Sequence, residues 1–585
     1  MFRKNTTHHQ TQLFNFSAMV PQRMLKGIEE SEEAKFHEII FSNINEEDFR
    51  CLYSEVDSRP NAPINCMVTA IFLHYRRSWT YEQLLENIQF NLLTKVALGL
   101  QTLDELPFVE STLFNFLNRL ASHFVETGEN LLEKVFDRLT EKQIKELKLR
   151  TDIQRTDSFQ AASNIRQYTR LQLLVEMLIR VYRVLREDDK KHYEELFAPY
   201  IRKTSGQYIY RLKADELMSQ FEAIGAVYRQ ITAMIARQYA DVEVFKIFAR
   251  VYAEHFAVAG EKIVLRASDE MGSGSLQSPD DVDATYRCKN GESYRGQVVN
   301  VTETANPDNQ LQLITDVAVA ANNIDDSDIL ESRVERITEK TPEIAELHFD
   351  GAFGSEDNDR EFAKHKITPI QTGIRGREPS GVEIEIAQVS EVEYEVRCPM
   401  QTVRSAPTRK RWKAEFSSEQ CRKCSHAEKC QLLEQKQGRV YYFTHEEYVK
   451  KIRLKNIEKI PKERRGLRAN IEATVGEFKR KMPHEKVKVR GMFGVMVFAC
   501  AMAVSINFGR IFRYCTPKPD QSERSFGEEP SFLFFTVSDG THIFFVCLLI
   551  WVSMPLAEVE QLNPSFGSWA DSMFTKISIS QRRAF

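Results

Sequence analysis

The stretch RRGLRANIEATVGEFKR, residues 464–480, decides how the fold is interpreted. Its apolar residues recur at spacings of four, four and three: Leu467, Ile471, Val475 and Phe478. Because an α-helix repeats every 3.6 residues, this spacing predicts one amphipathic helix with a single apolar stripe. We expect that stripe to pack on a hydrophobic core.

One acid stands between two cations on the neighbouring face of this predicted helix. At about 100° per residue, Arg468, Glu472 and Lys479 fall within about 40° of one another. A carboxylate flanked by cations suits a metal ion and a polyanion bound side by side. The alternative is a solvated helix face with ion pairs between residues four apart.

Length and charge indicate several structural units, one of them basic. The chain has 585 residues, which is too long for one hydrophobic core, so we expect three or more units. The net charge is −4, yet residues 401–490 hold 25 Lys and Arg against 11 Asp and Glu. A basic block in an otherwise acidic chain indicates a local site for a polyanion.

The first 16 residues and the pattern of cysteines favour a cytoplasmic location. Residues 1–16, MFRKNTTHHQTQLFNF, lack the apolar core of a signal peptide, and the ten Cys are scattered unlike a secreted disulfide framework. Two apolar runs, residues 492–508 and 543–556, raise the alternative of membrane association. The first contains polar residues and the second is shorter than the roughly 20 residues of a span, so we predict a buried core helix and no membrane partner.

Residues 1–150 read as a helical domain for DNA binding or dimer contact. A Pro-containing breaker, RPNAP at residues 59–63, precedes an apolar run, and Thr80 with Gln83 predicts a capping box. Residues 168–257 are also strongly helical in pattern, and we interpret them as an insertion that forms its own core.

Two acids lie in strand-like contexts. Asp157 sits in LRTDIQRTDSFQAAS, residues 149–163, as a strand-borne carboxylate or, alternatively, in a turn. Asp350 ends an apolar strand in AELHFDGAFGSED, residues 345–357, where open α/β sheets gather their ligands; a simple Asp-Gly turn is the alternative. Further strands are predicted at residues 296–302, 311–320 and 368–372, a helix at 325–337 and a hairpin at 382–396.

Four cysteines follow the predicted hairpin: Cys398, Cys421, Cys424 and Cys430. One CxxC pair with two further thiols can provide a tetrahedral structural zinc site, and free cysteines are the alternative. The same region contains the run RKRWK, residues 409–413. Arg409, Lys410 and Arg411 beside a Trp predict phosphate contact and base stacking, whereas a solvated surface run is the alternative.

Together these stretches resemble the DDE transposases of bacterial insertion sequences. The resemblance rests on TDSFQAASNI at residues 156–165, on HFDGAFGS at 348–355 and on the pattern R-x3-E-x6-K formed by Arg468, Glu472 and Lys479. In the branch with a Tyr-Arg-Glu-Lys signature a Tyr precedes this pattern, and here Arg465 takes its place. RPNAPINCMVTAIF (59–72), SPDDVDATYRCKNG (278–291) and the cysteine cluster have counterparts in the same family.

The resemblance implies an α/β fold: an RNase H-like mixed-sheet catalytic core at residues 151–515, preceded by a helical domain at 1–150. Insertions at 164–260 (helical) and 375–450 (β-stranded, Cys-rich and basic) would interrupt this core, and residues 516–585 would form a tail of unassigned role. Asp157 would lie on the first strand, Asp350 on the fourth and Glu472 on a later helix.

The implied activity is DNA transposition by two-metal-ion phosphoryl transfer. The three acids would be catalytic and would bind Mg²⁺ or Mn²⁺, with Asp350 as the bridging ligand. Cations that would contact DNA are Arg409, Lys410, Arg411, Arg465, Arg468 and Lys479. The expected partners are element ends and target DNA, with a homodimer or higher oligomer forming on DNA at the nucleoid. The alternative is a catalytically inactive DNA-binding protein of transposon descent.

Overall fold

The computed structural model describes residues 1–516 apart from several short segments. Those segments are residues 10–14, 57–58, 202–203, 211, 260–261, 290, 373–381, 391 and 436–437. Residues 517–585 also lie outside the described part. The predicted tail therefore falls outside it except for Thr516, and so does the apolar run at residues 543–556.

Helices make up the first part of the chain, as predicted. They are α1 (Gln22–Glu29), α2 (Glu32–Ile39), α3 (Ile64–Arg77), α4 (Tyr81–Phe90), α5 (Leu92–Ala97), α6 (Glu110–Thr127) and α7 (Leu131–Leu147). The capping box is confirmed, because the Gln83 amide donates to the Thr80 hydroxyl at 3.1 Å and the Thr80 amide donates to the Gln83 side chain at 2.9 Å. These two bonds satisfy backbone donors at the start of α4.

Strand β1 (Ile153–Ala162) follows the helices and carries Asp157. A helical segment comes next: α8 (Arg170–Val184), α9 (Glu187–His192), α10 (Glu194–Phe197), α11 (Ser205–Ile209), α12 (Leu217–Met234) and α13 (Glu243–His255). It ends in an antiparallel hairpin of β2 (Phe256–Ala259) and β3 (Lys262–Leu265). The apolar residues of this segment form a hydrophobic cluster of their own.

The strands that join β1 in the central sheet are β4 (Thr285–Lys289), β5 (Glu292–Thr304), β6 (Ile314–Ala321), β7 (Glu346–Phe349) and β8 (Thr368–Gln371). Helices α14 (Asp326–Lys340) and α15 (Glu356–His365) precede β7 and β8. The strands predicted around residues 296–302, 311–320, 344–349 and 368–372 are confirmed, as is the helix at 325–337.

Strand β1 lies at the centre of this mixed sheet. It pairs antiparallel with β5 and parallel with β7, while β8 runs parallel to β7. Strands β4 and β6 pair antiparallel with the first and last parts of β5, so the order is β6–β5–β1–β7–β8. Arg155 of β1 is in register with His348 of β7. Two residues further along these parallel strands, Asp157 and Asp350 therefore lie side by side.

A second, antiparallel sheet contains β9 (Glu385–Ser390), β10 (Glu393–Arg397), β11 (Thr402–Pro407), β12 (Trp412–Ser417), β13 (Leu433–Gln435) and β14 (Gly438–Phe443). Its order is β13–β14–β12–β11–β10–β9, and the short helix α16 (Ser418–Arg422) follows β12. Strands β9 and β10 form the predicted hairpin. Tyr394, Trp412 and Phe443 pack in the cluster between this sheet and the helix that follows it.

The prediction of one continuous helix at residues 464–480 is wrong. After α17 (His445–Lys459) the chain forms two helices, α18 (Lys462–Ala469) and α19 (Ile471–Lys479), which are separated at Asn470. The Asn470 carbonyl accepts from Ala473, three residues on, so the backbone tightens there instead of continuing the α-helical pattern. The apolar stripe still faces the core, where Ile471 and Phe478 are fully buried.

The last described helix, α20 (Met492–Cys515), joins the N-terminal helices to the sheet. It is long and apolar enough to cross a membrane, and 78% of its most apolar window is buried in the described structure. The predicted core helix is confirmed, because residues of α20 share one hydrophobic cluster with α3, α7 and strands β1, β5 and β6. Met1–Thr516 accordingly forms one compact unit.

Candidate active site

Asp157 lies in the middle of β1 with its side chain 15% exposed. Its Oδ1 accepts from the backbone amide of Ser158 at 2.9 Å, and its Oδ2 accepts from Arg468 Nη2 at 2.8 Å. Burial raises the pKa of this carboxyl, and the guanidinium of Arg468 only partly opposes the effect; Asp350 and Asp326 raise the pKa further. Asp157 is thus a strand residue whose surroundings disfavour the ionised form of its carboxyl.

Asp350 directly follows β7, at the carboxyl end of that strand. Its Oδ1 accepts from the backbone amide of Ala352 at 2.8 Å, so the residue also begins a turn. Its Oδ2 lies 3.8 Å from Arg468 Nη2, and the side chain is 37% exposed. Strand end and turn were alternatives in the sequence, and the structure combines them.

Glu472 lies in the first turn of α19, and its side chain is 67% exposed. Arg468, in the last turn of α18, approaches it with Nη1 at 3.3 Å from Glu472 Oε1. The break at Asn470 separates the two residues along the backbone but leaves them in contact.

Arg468 is the common partner of the three acids, which come from a strand, a turn and a helix. Its side chain is 19% exposed, and its buried Nε has no hydrogen-bond partner among the described atoms. One positive charge therefore faces three carboxylates, and the excess negative charge attracts further cations. Carboxylate oxygens are the ligands that Mg²⁺ and Mn²⁺ prefer.

Metal binding is not preformed in the described residues. Within that part of the chain, no group of three or more His, Cys, Asp or Glu side chains is close enough together to hold an ion. The three acids fit an ion in donor chemistry, and Glu472 is the most exposed of the three.

Other predicted DNA-contacting residues lie away from the acids. Arg465 donates to the carbonyls of Ile460 at 2.9 Å and Glu458 at 3.0 Å, at the end of α17. Lys479 pairs with Glu485 at 2.7 Å. Of the cations on α18 and α19 that the sequence singles out, Arg468 is therefore the one that the structure brings to the acids.

The basic run lies on the exposed turn between β11 and β12. Arg409 and Lys410 are exposed there, and the Arg411 guanidinium stacks 3.8 Å from the centre of the Tyr442 ring. Trp412 is partly buried, and its Nε1 donates to the carbonyl of Val392 at 3.2 Å. The turn thus presents cations, whereas the neighbouring indole packs within its own sheet.

The four cysteines of the second sheet line one small cavity of about 20 Å³. All four are free thiols of intermediate burial. Burial raises the pKa of Cys421, and the Gln401 side chain donates to its Sγ at 3.4 Å. Cys398, which lies far from the CxxC pair in sequence, thus lines the same cavity as the other three, but the four thiols are not close enough together to hold an ion in this arrangement.

Two ionic residues beneath the site were missed from the sequence. Arg155 pairs with the fully buried Glu303 across β1 and β5, with Arg155 Nη2 2.6 Å from Glu303 Oε1. The available signals were the position of Arg155, two residues before Asp157 on the same strand face, and an acid in the strand-like run VNVTETA, residues 299–305.

Two regions of the chain match models of known protein families. Residues 395–512 match the family model described as Transposase DDE domain, and residues 24–119 match Transposase domain (DUF772). No curated protein and no solved structure gave a match. The two family matches support a DDE-type transposase.

Proposed function

We propose that this protein cleaves DNA at the ends of a mobile element and joins the freed 3′-hydroxyl to target DNA. The observation that carries the proposal is the convergence of Asp157, Asp350 and Glu472 on Arg468. Bound Mg²⁺ or Mn²⁺ would activate the attacking hydroxyl or water and stabilise the leaving oxygen. The three carboxylates would hold the ions, and Arg468 would position the phosphate backbone.

We also infer an RNase H-like core. Its support is the strand order β6–β5–β1–β7–β8, in which β5 runs antiparallel to the central strand β1 while β6, β7 and β8 run parallel to it. Apart from the short β4, the strands of this sheet occur in the chain as β1, β5, β6, β7 and β8, so Asp350 follows the fourth. These placements match what the family resemblance implies for the three acids. Assembly as a dimer or higher oligomer and location at the nucleoid stay predictions.

The test is divalent-metal-dependent cleavage of duplex DNA taken from the flanks of the gene. Wild-type full-length protein should cut it with Mg²⁺ and fail to cut it with chelator. Asp157→Asn should lower the rate by more than about 100-fold, since loss of even a supporting group typically costs 10- to 100-fold. Asp152→Asn, the same change just before β1, is the matched control and should stay within a few-fold of wild type. Wild-type rates for Asp157→Asn would refute the assignment of the acids.

A second candidate is a DNA-binding protein that has lost catalysis. It is favoured by the absence of a preformed metal cluster among the described residues and by Arg465, which stands where the family branch has Tyr. This candidate predicts binding of the same DNA by the wild-type protein without cleavage under any divalent metal.

DNA contact by the exposed turn at Arg409, Lys410 and Arg411 follows from its charge. Each phosphate contact adds about 0.9 to the slope of log affinity against log salt, so replacing all three by Ala should flatten the slope by up to about 3. Arg229 on α12, Arg237 in the turn after α12 and Lys246 on α13 are exposed and provide a control triple of the same charge. Equal slopes for the two triples would place the DNA elsewhere.

We propose structural zinc at the four cysteines from their shared cavity and from the thiolate chemistry of such sites; the thiols would have to move closer together to hold the ion. Removing the metal should loosen the second sheet, because a closed site contributes folding free energy, while the acids stay in place. Elemental analysis of protein purified without chelator should find about one equivalent of zinc, and less than about half would contradict the proposal. Cys288→Ser, at an exposed thiol on β4, should leave the zinc content unchanged.

A further inference from the structure

A buried ionic network lies beneath the three acids and joins four elements. Glu303 of β5 accepts from Arg155 Nε of β1 at 2.7 Å, from Thr474 Oγ1 of α19 at 2.7 Å and from Arg510 Nη1 of α20 at 2.7 Å. Arg510 also donates to Thr474 Oγ1 at 2.5 Å and to Glu477 Oε1 at 3.1 Å. Strand β1 and helices α19 and α20 are thus tied to one carboxylate on β5.

The charged side chains of this network are almost completely buried. The Glu303 side chain is 0% exposed, Arg155 7% and Arg510 13%. Transfer of charges out of water is costly, and well-packed apolar residues often replace a buried ion cluster without loss of stability. A buried ion cluster can instead fix geometry, because hydrogen bonds between a guanidinium and a carboxylate have specific directions.

The network holds both sides of the break at Asn470. Arg155 Nη1 donates at 2.9 Å to the carbonyl of Leu467, which directly precedes Arg468. Thr474, bonded to Glu303, lies two residues after Glu472. Arg155 itself is two residues before Asp157 on the same face of β1. The first acid and the third acid are therefore connected through Arg155 and Glu303.

Glu472 has few contacts of its own that fix its position. Its polar contact within the described part of the chain is with Arg468 at 3.3 Å, and its side chain is two-thirds exposed. Its location relative to Asp157 is therefore decided by where α18 and α19 rest on β1. Besides the network, the packing of Phe478 against Phe159, with ring centres 5.3 Å apart, contributes to that placement.

We propose that Glu303 is a positioning residue that fixes the helix pair α18 and α19 on β1, so that Glu472 and Asp157 can bind the same divalent ions. This inference rests on the proposed function. It assigns to Glu303 and its partner Thr474 a role in metal affinity, distinct from a role in overall stability.

A matched control for stability exists elsewhere on the same sheet. Asp316 of β6 is 1% exposed and pairs with Arg333 and Lys340 of α14. It is in register with Thr302, the neighbour of Glu303, so its side chain lies on the opposite face of the sheet from Glu303. Asp316→Asn removes one buried charge from a buried ion cluster, as Glu303→Gln does. The two substitutions should lower thermal stability comparably but differ in their effect on metal binding.

The experiment measures binding of Mn²⁺ by the full-length protein, the Mg²⁺ concentration for half-maximal cleavage, and the affinity for flanking duplex DNA. Glu303→Gln should weaken Mn²⁺ binding and raise the Mg²⁺ requirement by about 10- to 100-fold, the usual cost of losing a supporting group. Affinity for DNA in chelator should stay within a few-fold. Thr474→Val, which removes the hydroxyl without a charge, should shift both metal measurements in the same direction by a smaller factor, and it covers the case in which Glu303→Gln fails to fold.

The outcomes separate this inference from the proposed function. If wild-type protein binds Mn²⁺ and cleaves, while Glu303→Gln and Thr474→Val match Asp316→Asn in metal affinity, the network is only stabilising and the inference is overturned. If wild-type protein neither binds Mn²⁺ at the acids nor cleaves, the proposed function and the inference are both overturned.

Discussion

Asp157, whose side chain is 15% exposed, and Asp316, which is fully buried, are aspartates of one sheet in opposite electrostatic environments. Burial raises the pKa of both carboxyls. At Asp316, Arg333 and Lys340 outweigh that effect, with contacts of 2.5 to 2.9 Å, and hold the pKa well below its usual range. At Asp157 the single guanidinium of Arg468 does not outweigh it, and the pKa is raised.

The difference lies in the supply of cations. Three acids and three cations meet around Asp316: Glu133, Asp137 and Asp316 with Arg333, Arg336 and Lys340. Around Asp157, three acids share Arg468. Balanced charges hold the N-terminal helix α7 against α14 and β6. Unbalanced negative charge in a partly open position is typical of a site that binds a further cation.

The largest expected effect comes from removing one negative charge from the cluster of Asp157, Asp350 and Glu472. Glu472→Gln keeps shape and hydrogen bonding but removes one of the three negative charges, so Mg²⁺-dependent strand cleavage should fall by at least about 1,000-fold, beyond the 10- to 100-fold cost of a supporting residue. DNA binding should persist or tighten, because a negative charge that faces the phosphates is gone. Cleavage kinetics and equilibrium binding on the same duplex measure both.

Glu463→Gln, an exposed acid in the first turn of α18, is the control for Glu472→Gln and should cleave at the wild-type rate. Arg468→Ala should weaken binding and cleavage moderately, since a cation here positions DNA. Wild-type cleavage by Glu472→Gln would remove the main reason to regard the protein as an enzyme.

The next largest effect comes from removing a charge from the balanced cluster around Asp316. Asp316→Asn leaves Arg333 and Lys340 buried without their main partner and should lower the free energy of unfolding by about 3–5 kcal/mol at neutral pH. Since the pKa of Asp316 is lowered in the fold, its contribution is present above the unfolded value of about 3.9 and is lost as pH falls through the folded pKa. The difference between wild type and variant in denaturant unfolding should therefore shrink in acid. A difference that is constant with pH would contradict the charge argument.

The smallest expected effect is on the free energy of unfolding, through the charge of Asp157. Because burial raises the pKa of this carboxyl, its ionised form costs stability once pH rises through the folded pKa. Asp157→Asn should consequently gain stability of the order of 1 kcal/mol at neutral pH, as often happens when a functional charge is removed. The gain should vanish below about pH 4, where the wild-type carboxyl is protonated in both states. Loss of stability at neutral pH would show that Arg468 compensates the charge fully.

Local sequence patterns predicted the elements that carry the site. An apolar run predicted the strand that ends at Asp350, and helical spacing predicted that Ile471 and Phe478 are buried. For Asp157 the local pattern left strand and turn open, and its place on a strand was an implication of the family resemblance. The break at Asn470 was not predicted, because a periodic stripe continues unchanged across a one-residue interruption. The contact of Arg465 with the end of α17 was also missed, since it depends on how two helices meet.

Local structure and side-chain chemistry could be predicted from the sequence: which residues are acids, which stripe is apolar, and which segment is basic. Only the tertiary structure decided that Arg468 contacts all three acids and that Glu303 joins β1 to α19 from below. It also decided that α20 shares a core with the N-terminal helices. The physical reason is the distance along the sequence over which each kind of interaction acts. Periodicity reports interactions within one turn or one strand, whereas charge balance depends on partners that the sheet brings together from distant parts of the chain.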